Sequence, residues 1–530
     1  MKKIFNICII GICTITSAIS CVGLDTPPYD KETDLTYWSN DPSAAVAALN
    51  SCYARMTSIN EMLYMEGASD NAYVKGLTST QPIANGSHST DNGYVKSIWD
   101  GYYAGIRSCN ELLENIDKVP GLDNALKVRY IAECQTIKAY FYYQLYTRFG
   151  DIPYTDKVLT VAESKEIGRT GKAQVVQNII GMLEGAISSN ALPESYSGGD
   201  RGRITIGAAK AILAKVYLFE GNFEEVKTLT GELMTSGTYD LHNSYEGVFQ
   251  IQNEYNKEVI LDSQYTPAFR EHNIMGNYLP PSMGGYCDIA PVQELVDSYI
   301  MLNGKAINEA GSGYDAASPY TDRDPRLAAT VIYTGNSFTL ADGSKTVIDC
   351  SSKESEDAYG TTSDVTPTGY YFKKWWDNTY RLALLSGLNP ILIRYADILL
   401  MHAEACVETG SMTADVWNRT IRRIRERAGF TESSALDYNA SADMKEVVRN
   451  ERRCELAFEG QRYIDIIRWR TAEKVLNGNV HGFYTGAAVG TEKGHIILEN
   501  RQFDPAKHYN WPIPQKDRDI NKNLSQNPNW

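Results

Sequence analysis

None of the short signatures that mark nucleotide, serine-hydrolase or zinc-peptidase chemistry occurs in this 530-residue chain: there is no Walker A loop, no Rossmann glycine fingerprint, no G-x-S-x-G and no H-E-x-x-H. Those chemistries are unsupported by the sequence. Histidine is scarce, with seven copies, and His402 stands alone in Met-His-Ala-Glu, which predicts a packed or capped helix residue and not a metal ligand. No C-x-x-C pair occurs among the ten cysteines, which argues against a zinc ribbon and a fully disulfide-stapled scaffold. Positive charge is short too, with 51 basic against 65 acidic side chains and a formal net charge of -14, so polyanion binding is disfavoured. Arg422, Arg423, Arg425 and Arg427 cluster at helical spacing, which predicts ion pairs on a solvated face. Beyond the first 20 residues no apolar run approaches the ~20 residues that a spanning helix needs.

What the chain does have begins at its start. Lys2 and Lys3 precede an apolar stretch from Ile4 to about Ile19, small Ser20 follows, and then comes Cys21. The pattern is that of a lipoprotein signal over residues 1–20, with Cys21 as the acylated first residue of the mature protein. Several acyl chains at about 0.8 kcal/mol per buried methylene hold a protein to a bilayer where one chain binds only marginally. Removing the signal takes two lysines and no acids, leaving 49 basic against 65 acidic residues and a charge of -16. Seven cysteines remain besides Cys21; Cys109, Cys134, Cys406 and Cys454 fall in helical patterns, where a free cysteine acts as a small buried apolar residue.

The remaining chain divides by texture. Residues 21–40 read as a lipidated tether, with Pro27 and Pro28 extending it, and 41–530 as a single domain. Within that domain a helical scaffold is expected over about 41–238 and 389–470, an irregular insert over about 239–388 and an irregular C-terminal segment over 471–530. Asp41 and Pro42 predict an N-cap and first-turn proline for a helix running toward Met56. Arg107–Ile116 and Val128–Phe149 are amphipathic, the second ending at Gly150. Between Ile206 and Tyr239, Ala211, Ala214 and Leu218 mark one helix, Gly221 breaks it, and Asn222 with Glu225 predicts a capping box for the next. That is a tetratricopeptide-like pair. A second is expected over Ile391–Gly429, its second helix spanning about Ala414 to Arg427. The insert is rich in Gly, Pro, Ser, Asp and Tyr, with a β-like run at Val331–Tyr333 and a turn at Asp342–Gly343. The fold class is therefore mainly α, with helix pairs supporting a loop-rich ligand-facing region.

Four segments taken together resemble one family: RYADILLMHAEA (Arg394–Ala405), ERRCELAFEGQRYIDIIRW (Glu451–Trp469), RDPRL (Arg323–Leu327), and the C-terminal WPIPQ with NLSQNP. With the lipid cysteine and the helix pair they look like the SusD/RagB family of outer-membrane nutrient-binding lipoproteins. The resemblance implies a mostly helical fold with four tetratricopeptide-like units, a lipid-anchored cell-surface location, and non-catalytic capture of oligosaccharide or polysaccharide for a SusC-like TonB-dependent transporter. Some relatives take peptides, so peptide or glycopeptide uptake is the alternative ligand class. A glycosidase carboxylate pair among so many acids is a further alternative. No catalytic residue and no cofactor is expected; the acidic surplus permits calcium, but no EF-hand spacing occurs.

Within Glu451–Trp469, the positions Val447, Glu451, Cys454 and Phe458 share a helix face, turning one carboxylate toward apolar neighbours. A buried Glu needs a cation, which predicts an ion-pair lattice with Arg452, Arg453, Arg462 and Arg468, joined by Glu455, Glu459 and Asp465. Sugar binding needs something else, flat rings that meet the C–H faces of pyranoses beside polar groups that meet hydroxyls. Tyrosine, at 35 copies, supplies both. Loop candidates are Asp70, Tyr73, Asn92 and Tyr94 around a Gly, Ser and Thr-rich loop, Tyr278 and Tyr286 around a turn, Tyr314 and Tyr320 beside a Gly and Ser loop, and Trp375 with Trp376. At least two of Tyr73, Tyr94, Tyr286, Tyr314, Trp375 and Trp376 are expected to line one exposed concavity. Trp99 is expected to anchor a helix start, and Tyr142, Tyr143 and Tyr146 to lie in the core.

Overall fold

The computed structural model describes residues 37–39, 41–75, 80–379 and 384–530. The signal segment, Cys21 and nearly all of the tether lie outside the described residues. Helices dominate from the start. Helix α1 (Ser43–Tyr53) opens one residue later than the sequence predicts: Pro42 takes the N-cap position, and the Asp41 carboxylate accepts from the Ser43 amide at 2.6 Å. Ser58 caps α2 (Ile59–Glu66). The α3 helix (Gly93–Asn115) places Trp99 inside its second turn, and α4 (Asn124–Phe149) ends where Gly150 turns to φ 72°. Next come α5 (Lys172–Ser188), α6 (Ile206–Glu220) and α7 (Phe223–Thr235). Gly221 ends α6 in the left-handed region, but the capping box expected at α7 does not form, because Asn222 makes no side-chain cap bond.

These helices share one apolar core. Leu49, Ile106, Phe141, Ile179, Ala211 and Leu399 meet in it, and Tyr142, Tyr143 and Tyr146 of α4 are buried there as their spacing predicts. A fully buried side chain of this size contributes roughly 1.5–3 kcal/mol. Small residues set how close the helices come: a Cβ on Gly105 of α3 would lie 2.5 Å from the Phe141 ring of α4.

Short antiparallel ladders build the second half. Strand β1 (Ala72–Val74) and β2 (Val259–Asp262) pair with β3 (Ile289–Pro291) and β8 (Ile391–Arg394) respectively. Between them β4 (Val331–Ile332) pairs with β7 (Tyr371–Phe372), and β5 (Ser337–Thr339) with β6 (Lys345–Val347) around the Asp342–Gly343 turn. A second core fills this half, with Leu63, Tyr278, Tyr371, Phe372, Trp375 and Phe458 among its residues.

From β8 the chain re-enters the helical half as α8 (Tyr395–Glu408). The helix expected over Ala414–Arg427 is two, α9 (Ala414–Arg419) and α10 (Ile421–Ala428), broken at Thr420 with φ -124° and ψ -89°. Likewise Glu451–Trp469 is not one helix: α11 (Met444–Glu455) and α12 (Arg462–Arg468) flank Phe458 at φ 60° and Gly460 at φ 69°. Phe458 thus leaves the helix face assigned to it and stacks on Phe372, centroids 3.9 Å apart. The C-terminal segment, read as irregular, holds the three-stranded sheet of β9 (Asn477–Tyr484), β10 (Thr491–Glu492) and β11 (His495–Gln502), in the order β10-β11-β9. Its strands are polar and half-exposed, so no alternation of apolar residues advertises them. Beyond them Asn527 donates to the carbonyls of Phe149 and Trp511 at 2.8 and 2.7 Å, fastening the C-terminal turns to the end of α4. Among the described residues no helix is long and apolar enough to cross a membrane.

The lattice expected around Glu451 exists, with other cations. Glu451 pairs with Arg326 and Arg425, at 2.7 and 2.8 Å. Around it Arg326, Lys374, Arg394, Arg425 and Arg427 meet Glu258, Asp324, Glu451, Glu455 and Glu459, equal numbers of each sign in a buried cluster. A second balanced set joins Lys215, Arg452 and Arg468 to Asp397, Glu404 and Asp465. Buried charges persist when paired. Burial alone would push the Glu455 carboxyl up, yet Arg427, Arg394 and Arg326 hold it far below the usual range. Of the four clustered arginines only Arg422 and Arg423 form the exposed pairs the spacing suggested; Arg425 and Arg427 belong to the lattice.

Candidate functional site

Rings that stack on a ligand must be reachable and must be held still. Tyr64, in the last turn of α2, is half-buried, and its hydroxyl accepts from the Asn277 amide at 2.7 Å. Asn277 in turn accepts from the hydroxyl of Tyr286 at 2.8 Å, and Tyr286 keeps 40 % of its surface exposed. One amide therefore positions two phenols. On the other side Tyr94, in the first turn of α3, shares with Tyr64 an open cleft of about 430 Å³ lined also by Ser58, Asn60, Glu61, Ser97 and Ile98. The Tyr94 hydroxyl donates to the Glu61 carbonyl at 3.3 Å, and its ring meets Trp511 edge-on. Near Tyr286, the Lys75 ammonium donates to the Tyr286 carbonyl at 2.8 Å and to the Val365 carbonyl at 3.3 Å. Tyr73, on β1 opposite Ala290, is half-buried with Gln81 at 3.5 Å from its hydroxyl. Burial raises the Tyr64 and Tyr286 hydroxyls above the usual phenol range, so both stay protonated donors at neutral pH.

Of the six aromatic residues of which at least two were expected to line one concavity, this cleft is lined by Tyr94 alone; Tyr286 does not line it but is tied to its Tyr64 through Asn277. The sequence reading missed Tyr64. It sits inside an apolar helical run, and only its position across from the Asn277 turn, which sequence does not show, turns it outward.

Several candidates are structural instead. Asp70 is buried and binds Arg462 at 2.7 and 2.9 Å and Arg453 at 3.1 Å. Burial opposes its charge, but the two guanidinium groups keep its carboxyl well below the ordinary range. Asn92 caps α3, accepting from the Val95 amide at 3.0 Å. Tyr278 is sealed, its hydroxyl donating to the Trp375 carbonyl at 2.9 Å. Trp375 and Trp376 are 1 % and 8 % exposed, and Trp375 donates to the Phe458 carbonyl at 2.9 Å. A ring without an open face cannot stack on a solvent-borne ligand, which corrects these assignments. Paired tryptophans in a loop-like stretch look like a platform; here they plug the second core.

Tyr314 and Tyr320 belong to a separate aromatic group. Tyr320 lies flat against Tyr333, centroids 3.9 Å apart at 17°, so each ring already covers a face of the other. Tyr314 sits over the Arg323 guanidinium, 5.6 Å from its centroid. Nothing places them with Tyr64, Tyr94 and Tyr286.

His402 packs as a helix residue, its Nδ1 2.9 Å from the Thr230 hydroxyl, and burial pushes its pKa down to about 4. The acids on which a hydrolytic reading would rest, Glu451, Glu455, Glu459 and Asp465, are all spent in buried ion pairs. One group of described side chains is placed to share a metal ion, the thiols of Cys52, Cys109 and Cys134. At 1.5 Å per residue, Cys109 is about 22 Å along α3 from Tyr94, so this group does not belong to the cleft.

Comparison with known proteins agrees with this architecture. The SusD family matches residues 245–530, and a second family described as starch-binding, associating with the outer membrane, matches residues 41–218. SusD-like protein P2 of Formosa agariphila is 26% identical over 512 residues, 91% of either chain, and a SusD-like protein of Bacteroides ovatus is 24% identical over 426 residues, 76% of this chain and 71% of that one. Among solved structures, a SusD-like carbohydrate-binding protein of Bacteroides fragilis superposes with a TM-score of 0.84 at 27% identity, covering 92% of this chain and 100% of that one. A laminarin-binding SusD-like protein shares the fold, with a TM-score of 0.70 at 22% identity and coverage of 92% and 100%.

Proposed function

The chain belongs to the SusD family, and on that premise we propose that it is a non-catalytic, lipid-anchored surface protein that captures an oligosaccharide and passes it to a SusC-like TonB-dependent transporter. The observation that carries the ligand reading is the cleft shared by Tyr64 and Tyr94, with Tyr286 tied to Tyr64 through Asn277. It offers flat apolar faces that are already ordered, ringed by hydroxyl and amide groups, which is what a pyranose demands. Preordering matters because each side chain fixed on binding costs about 0.5–1.5 kcal/mol. The solved carbohydrate-binding relative and the laminarin-binding neighbour support a glycan over a peptide.

The role as a binder and not a hydrolase is supported by the acids themselves. A glycosidase needs one carboxyl that can donate a proton and one that can face the sugar, and the clustered carboxylates here are charged, paired and sealed. Anchoring rests on the Lys2–Cys21 signal and is tested by metabolic labelling with a clickable fatty acid; an unlabelled protein ends it.

A glycan array followed by calorimetry tests the ligand. The expected result is micromolar-class binding of one glycan family that Tyr64→Ala, Tyr94→Ala or Tyr286→Ala each weakens, with no reducing ends released. Binding of peptides and of no glycan would replace this reading with peptide uptake, and turnover of the bound glycan would overturn the non-enzyme assignment.

A further inference from the structure

Three cysteines from three helices point their sulfurs at one spot. Cys52 of α1, Cys109 of α3 and Cys134 of α4 are each fully buried, and their Sγ atoms all lie within 4.8 Å of one another. We propose that they form a three-sulfur site for one thiophilic divalent cation. Three sulfurs bound at ~2.3 Å around a central ion stand about 4 Å apart, so the observed spacing closes onto an ion with a shift of less than about 1 Å.

A second observation is independent of the sulfurs. Lys138, one turn beyond Cys134 on α4, is 2 % exposed and makes no salt bridge among the described residues. Burial works against its charge, and the groups whose negative charge would support it are Cys109 and Cys134, followed by Asp156 and Glu114. Three thiolates around a divalent ion carry one net negative charge, which the ammonium cancels. The metal-loaded cluster, counted with this ammonium, is therefore neutral within the buried helical core.

In the metal-free protein the protons sit on the thiols. Cys52 donates to the Ala48 carbonyl at 3.4 Å and Cys134 to the Cys109 carbonyl at 3.5 Å. Binding breaks three S–H bonds, releases three protons to solvent and forms three S–metal bonds, with no change of oxidation state. Soft thiolates select ions of the zinc and cadmium class over calcium or magnesium. The other described cysteines, Cys287, Cys350, Cys406 and Cys454, are buried outside any such group.

Cadmium is the probe. Because the sulfurs are sealed, it is offered both to the reduced folded chain and in the growth medium. The expected result is one cadmium per chain, a sulfur-to-cadmium charge-transfer band and a cadmium NMR shift of a three-sulfur environment. Cys109→Ala and Cys134→Ala should lose all three signals while keeping the helical circular dichroism, Cys406→Ala should keep them, and Lys138→Met should weaken binding by about tenfold or more. Cadmium absent from both preparations, cadmium retained by Cys109→Ala, or an intact mass two hydrogens light from a disulfide within the trio would each overturn the proposal.

Discussion

Arg394 grips Glu459 with both prongs of its guanidinium, Nε to Oε2 and Nη2 to Oε1, each at 2.7 Å. The same side chain reaches Glu258 and Glu455 at 2.6 Å, so one residue at the end of β8 serves three acids of the lattice. Removing it strands those carboxylates in a dry interior. Arg394→Met should lower the unfolding free energy by about 3–5 kcal/mol, read from urea denaturation. Arg422→Ala, which breaks only exposed pairs, should leave the midpoint nearly unmoved; equal losses in the two variants would mean that the lattice is not the stabilising element described here.

Asn277→Ala tests whether order in the rings matters apart from the rings themselves. It keeps Tyr64 and Tyr286 but frees both hydroxyls. Glycan affinity should fall by roughly 1 kcal/mol, the cost of ordering a side chain anew on binding, with little change in thermal stability. Unchanged affinity would show that the relay is decorative.

Glu66 supplies a pH signature. It is fully buried, accepts from the Asn71 side chain and the Gly460 amide at 2.9 Å each, and burial pushes its pKa up to about 7. A carboxyl raised on folding binds its proton more tightly in the native state, so its stabilising effect is complete below the unfolded value of about 4.5 and fades as pH rises through 7. The gap corresponds to about 3 kcal/mol at most. Glu66→Gln should flatten the fall of the unfolding free energy between pH 4.5 and 7 relative to the parent. Parallel curves would refute the buried, neutral carboxyl.

Gly105→Ala sets helix propensity against packing. Alanine in mid-helix gains about 1 kcal/mol over glycine, but its methyl would meet the Phe141 ring at 2.5 Å. Overpacking of a filled core costs about 1–3 kcal/mol, so the variant should be destabilised despite its better helix former. A raised midpoint would show that Phe141 gives way freely.

The long helices were legible because their apolar spacing repeats over many turns, as in α4, and because Gly150 and Gly221 stop them where the backbone needs positive φ. What sequence could show of Glu451 was its apolar face and its need for a cation. Which cations it meets, Arg326 at the start of a short helix 125 residues away and Arg425 from α10, depends on tertiary contacts that no local pattern encodes. The same limit hid the breaks at Thr420 and Phe458; at the second a bulky residue is held at φ 60°, which its own propensity disfavours. For the candidate site, loop-like texture suggested Tyr94 and Tyr286, whose rings are partly open, and equally Tyr278, Trp375 and Trp376, which are buried, since composition cannot distinguish a ring that faces water from one that plugs a core.

Because the Arg394 cluster draws on β8, residues 324–326, Lys374, α10 and the end of α11 alike, prising the strand-built half from the helical half would break a buried knot of ion pairs. Whatever binds this molecule can thus reshape it only at its rims. Adaptation must come from loops that bend, over a base that does not part.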